Sequence, residues 1–348
     1  MKRRRQEVGA ALAGALLLLA AGPARGEALK LATLVPDGSV WDQALKEMGS
    51  EWSAATDGRV SLRIYPGGVA GDESDIVRKM RIGQLHAAAL TIAGLGDIDE
   101  AFSVFATPLL IASYDELAYV LEVAGPGLRR RLEAKGFVFL HWGHGGWVHL
   151  FSKRPARTVA DVKSLKMFAW AGDDARVQLW RRAGFQPVAL ASTDILTGLQ
   201  TGLIEAYPTP PLAALSLQWF RETPYMTALG LAPLVGAVVV SKRSWDKISE
   251  EDRGRLLAIA RRYEARLADE IPRQDGQAIE EMTRRGLEVV PAADPEAWQR
   301  AAADFVRGSR GELVPADIFD EVERALAEYR ARAPEAGPPP SGPAGARP

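Results

Sequence analysis

The 348-residue sequence contains no cysteine. This absence excludes disulfide bonds, thiolate zinc sites, cysteine nucleophiles and the acylated N-terminal cysteine of a lipoprotein. A large net charge is also missing, because 43 Lys and Arg residues nearly balance 44 Asp and Glu residues. Such a composition offers no strong field to nucleic acid or to anionic lipid. Whatever this protein binds is therefore recognised by a defined site rather than by bulk charge.

Long apolar runs are missing everywhere except at the N-terminus. There, Lys2 and Arg3–Arg5 precede an apolar run, Val8–Ala21, and a stretch of small residues. This arrangement predicts a cleaved signal peptide over residues 1–26. Its apolar run is shorter than the about 20 residues that a membrane-spanning helix needs. We therefore expect an exported, periplasmic protein without stable membrane insertion.

The elements predicted after the signal peptide alternate strands with helices. The strand Leu29–Leu34 is followed by the helix Trp41–Ala55, whose apolar residues share one face, and by the alternating strand Val60–Ile64. Such βαβ order is typical of an α/β sheet flanked by helices. With 47% hydrophobic residues, a chain of this length is also long enough to build two cores.

The segment His141–Trp147 interrupts this alternation. It is too rich in glycine for an interior strand and too aromatic for an idle linker, so it predicts a crossing between two lobes. Pro272 is expected to kink or divide a long helix that follows Ser249. The predicted organisation is a signal peptide over residues 1–26, a first lobe over 27–145 plus 234–273, a second lobe over 146–233 plus 274–333, and a disordered Pro- and Gly-rich tail over 334–348.

Short motifs spread along most of the chain carry a family resemblance. They include Thr56-x-Gly58-Arg59-Val60, Tyr65-Pro66-Gly67, Gly71-Asp72-Glu73, Lys153-Arg154-Pro155 and Leu199-Gln200-Thr201-Gly202-Leu203-Ile204-Glu205. In their order and spacing, these motifs resemble the solute-binding proteins of tripartite ATP-independent periplasmic (TRAP) transporters of the DctP type.

The resemblance implies a particular fold and role. The fold is α/β with two lobes, each a mixed sheet flanked by helices, and a ligand cleft between them that closes by hinge motion. The implied role is that of a carrier without catalytic activity and without a cofactor. Its implied partners are one small-molecule ligand and the membrane subunits of a transporter powered by an ion gradient.

Three positions depart from the pattern of those family members that take carboxylates. In such proteins, an arginine usually occupies the positions that correspond to Val148 and Phe168, and an asparagine usually occupies that of Thr209. Arginine holds a carboxylate through paired, charge-assisted hydrogen bonds, which neither valine nor phenylalanine makes. The expected ligand is therefore apolar or uncharged rather than an organic acid.

Aromatic rings near these positions favour the same kind of ligand, because they offer a large apolar contact area with few rotamers to freeze. Two alternatives stay open. The rings fill the core of the second lobe, or an organic acid is held by a basic residue elsewhere, such as Arg176 or Arg181. The predicted ligand-binding residues are Trp41, Trp147, Val148, Phe168, Trp170, Tyr207 and Thr209.

Other classes of function find less support in the sequence. His141, His144 and His149 are candidate zinc ligands, but their spacing matches no zinc motif, and hydrogen bonds to the backbone are the usual explanation of such histidines. No Gly-x-Ser-x-Gly, His-Glu-x-x-His or Walker motif occurs, which argues against an exported enzyme. A ligand-sensing module that docks on a receptor would use the same fold. We predict no metal site and no catalysis.

Overall fold

The structure, a computed structural model, describes residues 26–332. The predicted disordered tail and nearly all of the predicted signal peptide lie outside these residues. Within them, none of the helices combines the length and apolar character that crossing a membrane would require.

Strands and helices alternate along most of the described chain. The strands are β1 (Glu27–Thr33), β2 (Val60–Tyr65), β3 (Ala87–Thr91), β4 (Phe137–Ser152), β5 (Lys166–Trp170), β6 (Gln186–Leu190), β7 (Ala206–Thr209), β8 (Tyr225–Thr227), β9 (Ala232–Ser241) and β10 (Glu288–Val290). The α-helices are α1 (Val40–Ala55), α2 (Glu73–Arg81), α3 (Ile92–Ile98), α4 (Tyr114–Ala134), α5 (Val159–Lys163), α6 (Asp174–Arg182), α7 (Ile195–Thr201), α8 (Pro211–Ser216), α9 (Lys242–Trp245), α10 (Glu250–Arg284), α11 (Pro295–Ser309) and α12 (Ala316–Arg332). Short 3-10 helices cover Glu100–Ala106, Ser192–Asp194 and Trp219–Arg221.

The strands follow one path in the order β2-β1-β3-β9-β4-β7-β5-β6, with β8 pairing β4 and β10. Pairing is parallel from β2 through β1 to β3 and among β7, β5 and β6, whereas β9 runs antiparallel to both β3 and β4. The long strand β4 belongs to both halves, since it pairs with β9 between Phe137 and Val148 and with β7 between His149 and Ser152. The first lobe is built around the β2-β1-β3-β9 half and the second around the β7-β5-β6 half. The α/β, two-lobed fold class is thereby confirmed, whereas the exact residue limits of the lobes stay a prediction.

The continuity of β4 corrects the expectation that His141–Trp147 cannot be interior strand. Its glycines let neighbouring atoms approach closely. Gly143 lies opposite Gly236 of β9, where an added Cβ would lie 3.3 Å from a backbone carbon. Gly146 has a φ of +101°, and a Cβ there would lie 2.1 Å from the Asp275 carboxylate. The pairing of β4 with β9 shifts register between His144 and Trp147, and a β-bulge of this kind generally bends a strand.

Helix α10 also differs from expectation, because it runs through Pro272 without a break. A proline in a helix removes one hydrogen bond and crowds the preceding turn, at a cost of about 3 kcal/mol. Apolar burial on both sides offsets this cost, with Leu267 and Ile271 buried before the proline and Ala278 and Ile279 buried after it. The helix packs against β4, α1 and α8 and therefore contacts elements of both lobes.

Candidate ligand-binding cleft

A cavity of about 920 Å³ lies between the two lobes. Its volume falls in the range of about 300–1,000 Å³ that is typical of small-molecule sites. Most lining side chains are apolar or aromatic. The first-lobe wall includes Trp41, Leu45, His141, His144 and Val238, and the second-lobe wall includes Val148, Met167, Phe168, Trp170, Arg176 and Thr209.

Trp41 is fixed in the first-lobe wall by its place at the start of α1. Ser39 caps this helix, because its hydroxyl accepts a hydrogen bond from the Asp42 N–H. The Trp41 indole Nε1 then donates to the carbonyl oxygen of His144 on β4, over 2.9 Å. The ring is therefore held between a helix end and the strand shared by both lobes.

Four other predicted residues line the second-lobe wall. Val148 is partly buried on β4, and Thr209, which lies at the end of β7, is 9% exposed. Phe168 is 3% exposed and belongs to the second-lobe core as well as to the cavity wall. Trp170 is partly buried beside it, with the two ring centroids 5.5 Å apart in an edge-to-face arrangement. Phe168 thus packs in the core, as one of the alternatives holds, and its role as a ligand contact stays a prediction.

Trp147 and Tyr207 lie behind the wall and do not line the cavity. Neighbouring residues of a strand point to opposite faces, so the face that turns Val148 towards the cavity turns Trp147 away from it. Trp147 is 2% exposed and packs edge-on against Tyr114, with the ring centroids 5.2 Å apart. Tyr207 is fully buried, stacks on Phe151 and is in hydrogen-bond distance of Thr223 through its hydroxyl, at 3.2 Å.

Arg176 is the one Lys or Arg among the lining residues within the described range. Its side chain is 15% exposed, and its Nε donates to Oδ2 of Asp173 over 2.6 Å. Asp173 also caps α6 by accepting a hydrogen bond from the Arg176 backbone N–H. The terminal guanidinium nitrogens form no hydrogen bond within residues 26–332, so they are available to a ligand. Arg181, the other candidate from the sequence, is exposed on α6 and does not line the cavity.

Acidic side chains also line the cavity, but most of them lie at its exposed rim. Asp97, Glu100, Asp174 and Glu312 are all exposed to solvent. Glu73 is the buried exception, and burial raises the pKa of its carboxyl group to about 7. Its oxygens accept hydrogen bonds from the backbone N–H groups of Thr91 and Gly94 and from the Thr91 hydroxyl. Glu73 therefore ties the start of α2 to the end of β3.

The histidines of β4 are neutral near pH 7, because burial lowers the pKa values of His141, His144 and His149 to about 4. His141 Nδ1 lies 2.8 Å from the Trp142 carbonyl oxygen, and His149 Nδ1 lies 3.2 Å from that of Thr227. Since a carbonyl only accepts, each Nδ1 carries the proton. Within residues 26–332, no group of three or more His, Cys, Asp or Glu side chains is arranged to hold a metal ion.

One pair of residues joins the two lobes at the edge of the cavity. Asp72, which caps α2 in the first lobe, accepts hydrogen bonds from the backbone N–H and the hydroxyl of Ser192 in the second lobe, each over 2.9 Å. Beside this contact, an added Cβ on Gly68 would lie 2.9 Å from the Thr193 methyl group. The lobes therefore touch directly in this arrangement.

Sequence reasoning named Arg176 only as one of two open possibilities and did not name Asp72 or Ser192 as functional residues. The helix-capping pattern around Asp173 was the available signal for Arg176, because a cap at the start of α6 places that turn at the end of β5. Asp72 occurs within one of the family motifs, but its partner lies 120 residues further along the chain. No local pattern links the two.

Comparisons with known proteins agree with this architecture. Residues 31–310 match the DctP family model, described as bacterial extracellular solute-binding protein, family 7. A solute-binding protein of Roseobacter denitrificans is 26% identical, and the alignment covers 86% of this chain and 92% of that protein. The C4-dicarboxylate-binding periplasmic protein DctP of Rhodobacter capsulatus is 24% identical, with 78% of this chain and 83% of that protein covered.

A solved structure extends the comparison to the fold. The TRAP periplasmic solute-binding protein of Xanthobacter autotrophicus, with bound β-D-galacturonate, superposes with a TM-score of 0.79 at 19% identity. The alignment covers 86% of this chain and 99% of that structure. Proteins of this kind are transporter receptors rather than enzymes. The family match over most of the chain confirms the resemblance found in the sequence: this protein belongs to the DctP family, the solute-binding components of TRAP transporters.

Proposed function

We propose that this protein captures a small organic acid in the cleft between its lobes, in the periplasm, and delivers it to the membrane subunits of a TRAP transporter. The observation that carries this proposal is the partly buried guanidinium of Arg176 in the cavity wall. The proposal departs from the apolar or uncharged ligand that the sequence favours and adopts the alternative of an organic acid held by a basic residue at another position.

The ligands named for similar proteins support this choice. The relative from Rhodobacter capsulatus is named for C4-dicarboxylates, and the structure from Xanthobacter autotrophicus contains a sugar acid. These ligands differ in size and in hydroxyl content, but both carry a carboxylate. A carboxylate is therefore the feature that we transfer to the ligand of this protein.

Arg176 supplies the chemistry that the positions of Val148 and Phe168 lack. Asp173 occupies its Nε and holds the side chain in place, which leaves the terminal nitrogens to donate to a carboxylate. Arginine presents five N–H donors in a fixed plane, so it binds Asp173 and a ligand at the same time. Because Arg176 is partly shielded from water, its attraction for an anion exceeds that of an exposed arginine.

The acidic residues around the cavity do not oppose this assignment. Four of them are exposed at the rim, where water screens their charge. Asp173 is compensated by Arg176 itself. Glu73 has a pKa raised to about 7 by burial, so part of its population is neutral at pH 7. The anion thus meets one partly buried cation and few uncompensated buried charges.

The apolar side chains of the two walls suit the carbon skeleton of such a ligand. Trp41 from the first lobe and Trp170 from the second offer ring surfaces for carbon-bound hydrogens. Small-molecule sites commonly combine an apolar lining with a few polar anchors, and an acid with a carbon frame satisfies both. An aromatic lining therefore does not by itself require an apolar ligand.

The test is to identify the bound molecule and then to remove the proposed anchor. Native mass spectrometry of protein purified without refolding identifies what remains bound, and calorimetry with D-galacturonate and succinate measures acid binding directly. Replacing Arg176 with Gln is expected to weaken binding of the retained acid by about 100-fold, since a charge-assisted hydrogen-bond pair is lost.

The matched control is Arg181→Gln, which removes an exposed arginine on the same helix away from the cavity. Its affinity is expected to equal that of the unmodified protein. Retention of an uncharged lipid-like compound, together with no heat from any carboxylate, would contradict the proposal. Equal losses in the two variants would likewise remove Arg176 as the anchor.

A further inference from the structure

The contact between Asp72 and Ser192 joins the lobes. Asp72 is held in place within the first lobe whether or not Ser192 is bound to it. Asp72 Oδ1 accepts the Glu73 backbone N–H over 2.9 Å and so caps α2 within the first lobe. The same oxygen accepts the Ser192 hydroxyl, and Oδ2 accepts the Ser192 backbone N–H. The carboxylate is therefore already oriented by its own helix when Ser192 reaches it.

The first-lobe side of this contact is rigid for a further reason. Glu73, the residue next to Asp72, is 2% exposed and accepts two hydrogen bonds from Thr91 at the end of β3 and one from Gly94 in α3. Two consecutive side chains thus fix the start of α2. Little side-chain freedom remains to be lost when the contact forms, so most of its interaction energy favours the closed arrangement.

The second-lobe side lies on a separate structural unit. Ser192 is 9% exposed and opens the 3-10 helix that follows β6. The next helix, α7, buries Ile195 and Leu199 in the second-lobe core rather than against the first lobe. Opening the cleft would therefore separate Ser192 from Asp72 without disturbing the core of either lobe.

We propose that Asp72 and Ser192 form a latch that sets the stability of the closed state, so that they control the affinity for every ligand of the cleft by one common factor. This inference rests on the proposed function as a ligand-capturing protein. Asp72 does not line the cavity, and it acts on the ligand only through closure. Apparent affinity scales with the fraction of protein in the binding-competent state, so a weaker latch raises the apparent Kd of all ligands equally.

Asp72→Asn is the cleanest change, because asparagine also caps helices well but offers an N–H₂ group where Oδ2 accepts the Ser192 N–H. It is expected to raise the apparent Kd for D-galacturonate and for succinate by the same factor, about tenfold, as follows from losing hydrogen bonds to a charged group. The melting temperature of the ligand-free protein is expected to stay unchanged. The control Asp75→Asn alters the same helix at a carboxylate whose side-chain partner is Arg78.

A distance measurement tests the latch without relying on affinity. Because the chain has no cysteine, spin labels can be placed on two introduced cysteines, at Ile82 and Leu203, which are exposed on the first and second lobes. Pulsed electron-spin spectroscopy then gives the closed fraction with and without D-galacturonate. We expect Asp72→Asn to lower that fraction and Asp75→Asn to leave it unchanged.

The outcomes separate this inference from the function on which it rests. A protein that neither binds nor closes around any acid refutes the proposed ligand class, and the ligand-free distances then decide the latch alone. Distance distributions of Asp72→Asn that match those of the unmodified protein in both conditions overturn the latch. A change in Kd for one acid but not for the other also overturns it, because that pattern indicates direct ligand contact.

Discussion

The aromatic residues that the sequence predicts on β4, β5 and β7 as ligand contacts fall into two groups. Phe168 and Trp170 on β5 line the cavity, whereas Trp147 on β4 is buried in a core built mostly of first-lobe residues and Tyr207 on β7 is buried in the second-lobe core. All four are bulky rings on strands. The difference teaches that residue type and strand alternation identify buried aromatics, but only the packing of the second lobe against the first decides which of them meet the cavity.

The largest expected effect is that of Trp147→Ala. The indole is 2% exposed and packs against Tyr114, so its removal should leave a cavity and cost about 3–5 kcal/mol in free energy of unfolding. The affinity of the remaining folded protein should change little. Urea denaturation and calorimetry measure the two quantities, and Trp147→Phe is a milder companion because it keeps a ring. A stable Trp147→Ala variant with greatly weakened ligand binding would erase the distinction between the groups.

A pH experiment tests how the carboxyl group of Asp275 supports Trp147, which is buried behind the cavity wall. Asp275 on α10 accepts the backbone N–H groups of Trp147 and Leu212, each over 3.0 Å, and burial raises the pKa of its carboxyl group from 3.8 to about 7. An acid with a raised folded-state pKa stabilises the native state less as pH rises from the unfolded-state value to the folded-state value. As the pH rises from 4 to 7, ionisation of Asp275 should therefore lower the free energy of unfolding by about 2 kcal/mol. This value is set below the full free energy that a pKa shift of this size implies.

The comparison is with Asp275→Asn, in which the group no longer titrates. We expect this variant to be less stable at low pH, since the amide cannot accept both N–H groups, but to lose less stability as pH rises. Thermal melts from pH 4 to pH 7 give both slopes. Parallel slopes for the two proteins would assign the pH dependence to other groups, such as Glu73.

Of the two aromatic substitutions, Trp170→Ala should have the smaller effect on stability and the larger effect on binding. The ring is only partly buried, and it contacts Phe168 at the cavity wall. We expect affinity to fall about tenfold, and the free energy of unfolding to fall by about 1–2 kcal/mol, because part of the ring is already exposed to the cavity. Full retention of affinity would place Trp170 with the packing residues and leave Trp41 as the main ring contact.

Local patterns predicted most of the fold. The predicted strand Leu29–Leu34, helix Trp41–Ala55 and strand Val60–Ile64 correspond to β1, α1 and β2 to within about two residues at each end. The interpretation of β4 was wrong, because glycine composition alone does not distinguish a strand that ends from one whose neighbours approach closely. That distinction depends on Gly236, which lies opposite Gly143 but 93 residues later in the chain.

The candidate site was less predictable than the fold. Trp147 and Val148 were both named as ligand contacts, although adjacent strand residues face opposite sides, and the structure turns only Val148 to the cavity. The choice between ligand classes depended on where one arginine lies in three dimensions. The sequence offered Arg176 as a possible basic residue for an organic acid but could not show that it borders the cleft. The contact of Asp72 with Ser192 depends on the relative placement of the lobes, which no local signal encodes.

The position of β9 in the sheet has a consequence for the order in which the molecule assembles. β9 lies between β3 and β4, yet its residues, Ala232–Ser241, come after the strands β5, β6 and β7 of the second lobe in the chain. Synthesis begins at the N-terminus, so β3 and β4 are made before β9. The sheet of the first lobe therefore cannot be completed until β9 has been made. Pairing over such long sequence separations slows folding. The nascent protein should therefore stay unfolded until most of it has been made, which is the condition that a chain needs if it is to be threaded through a narrow channel.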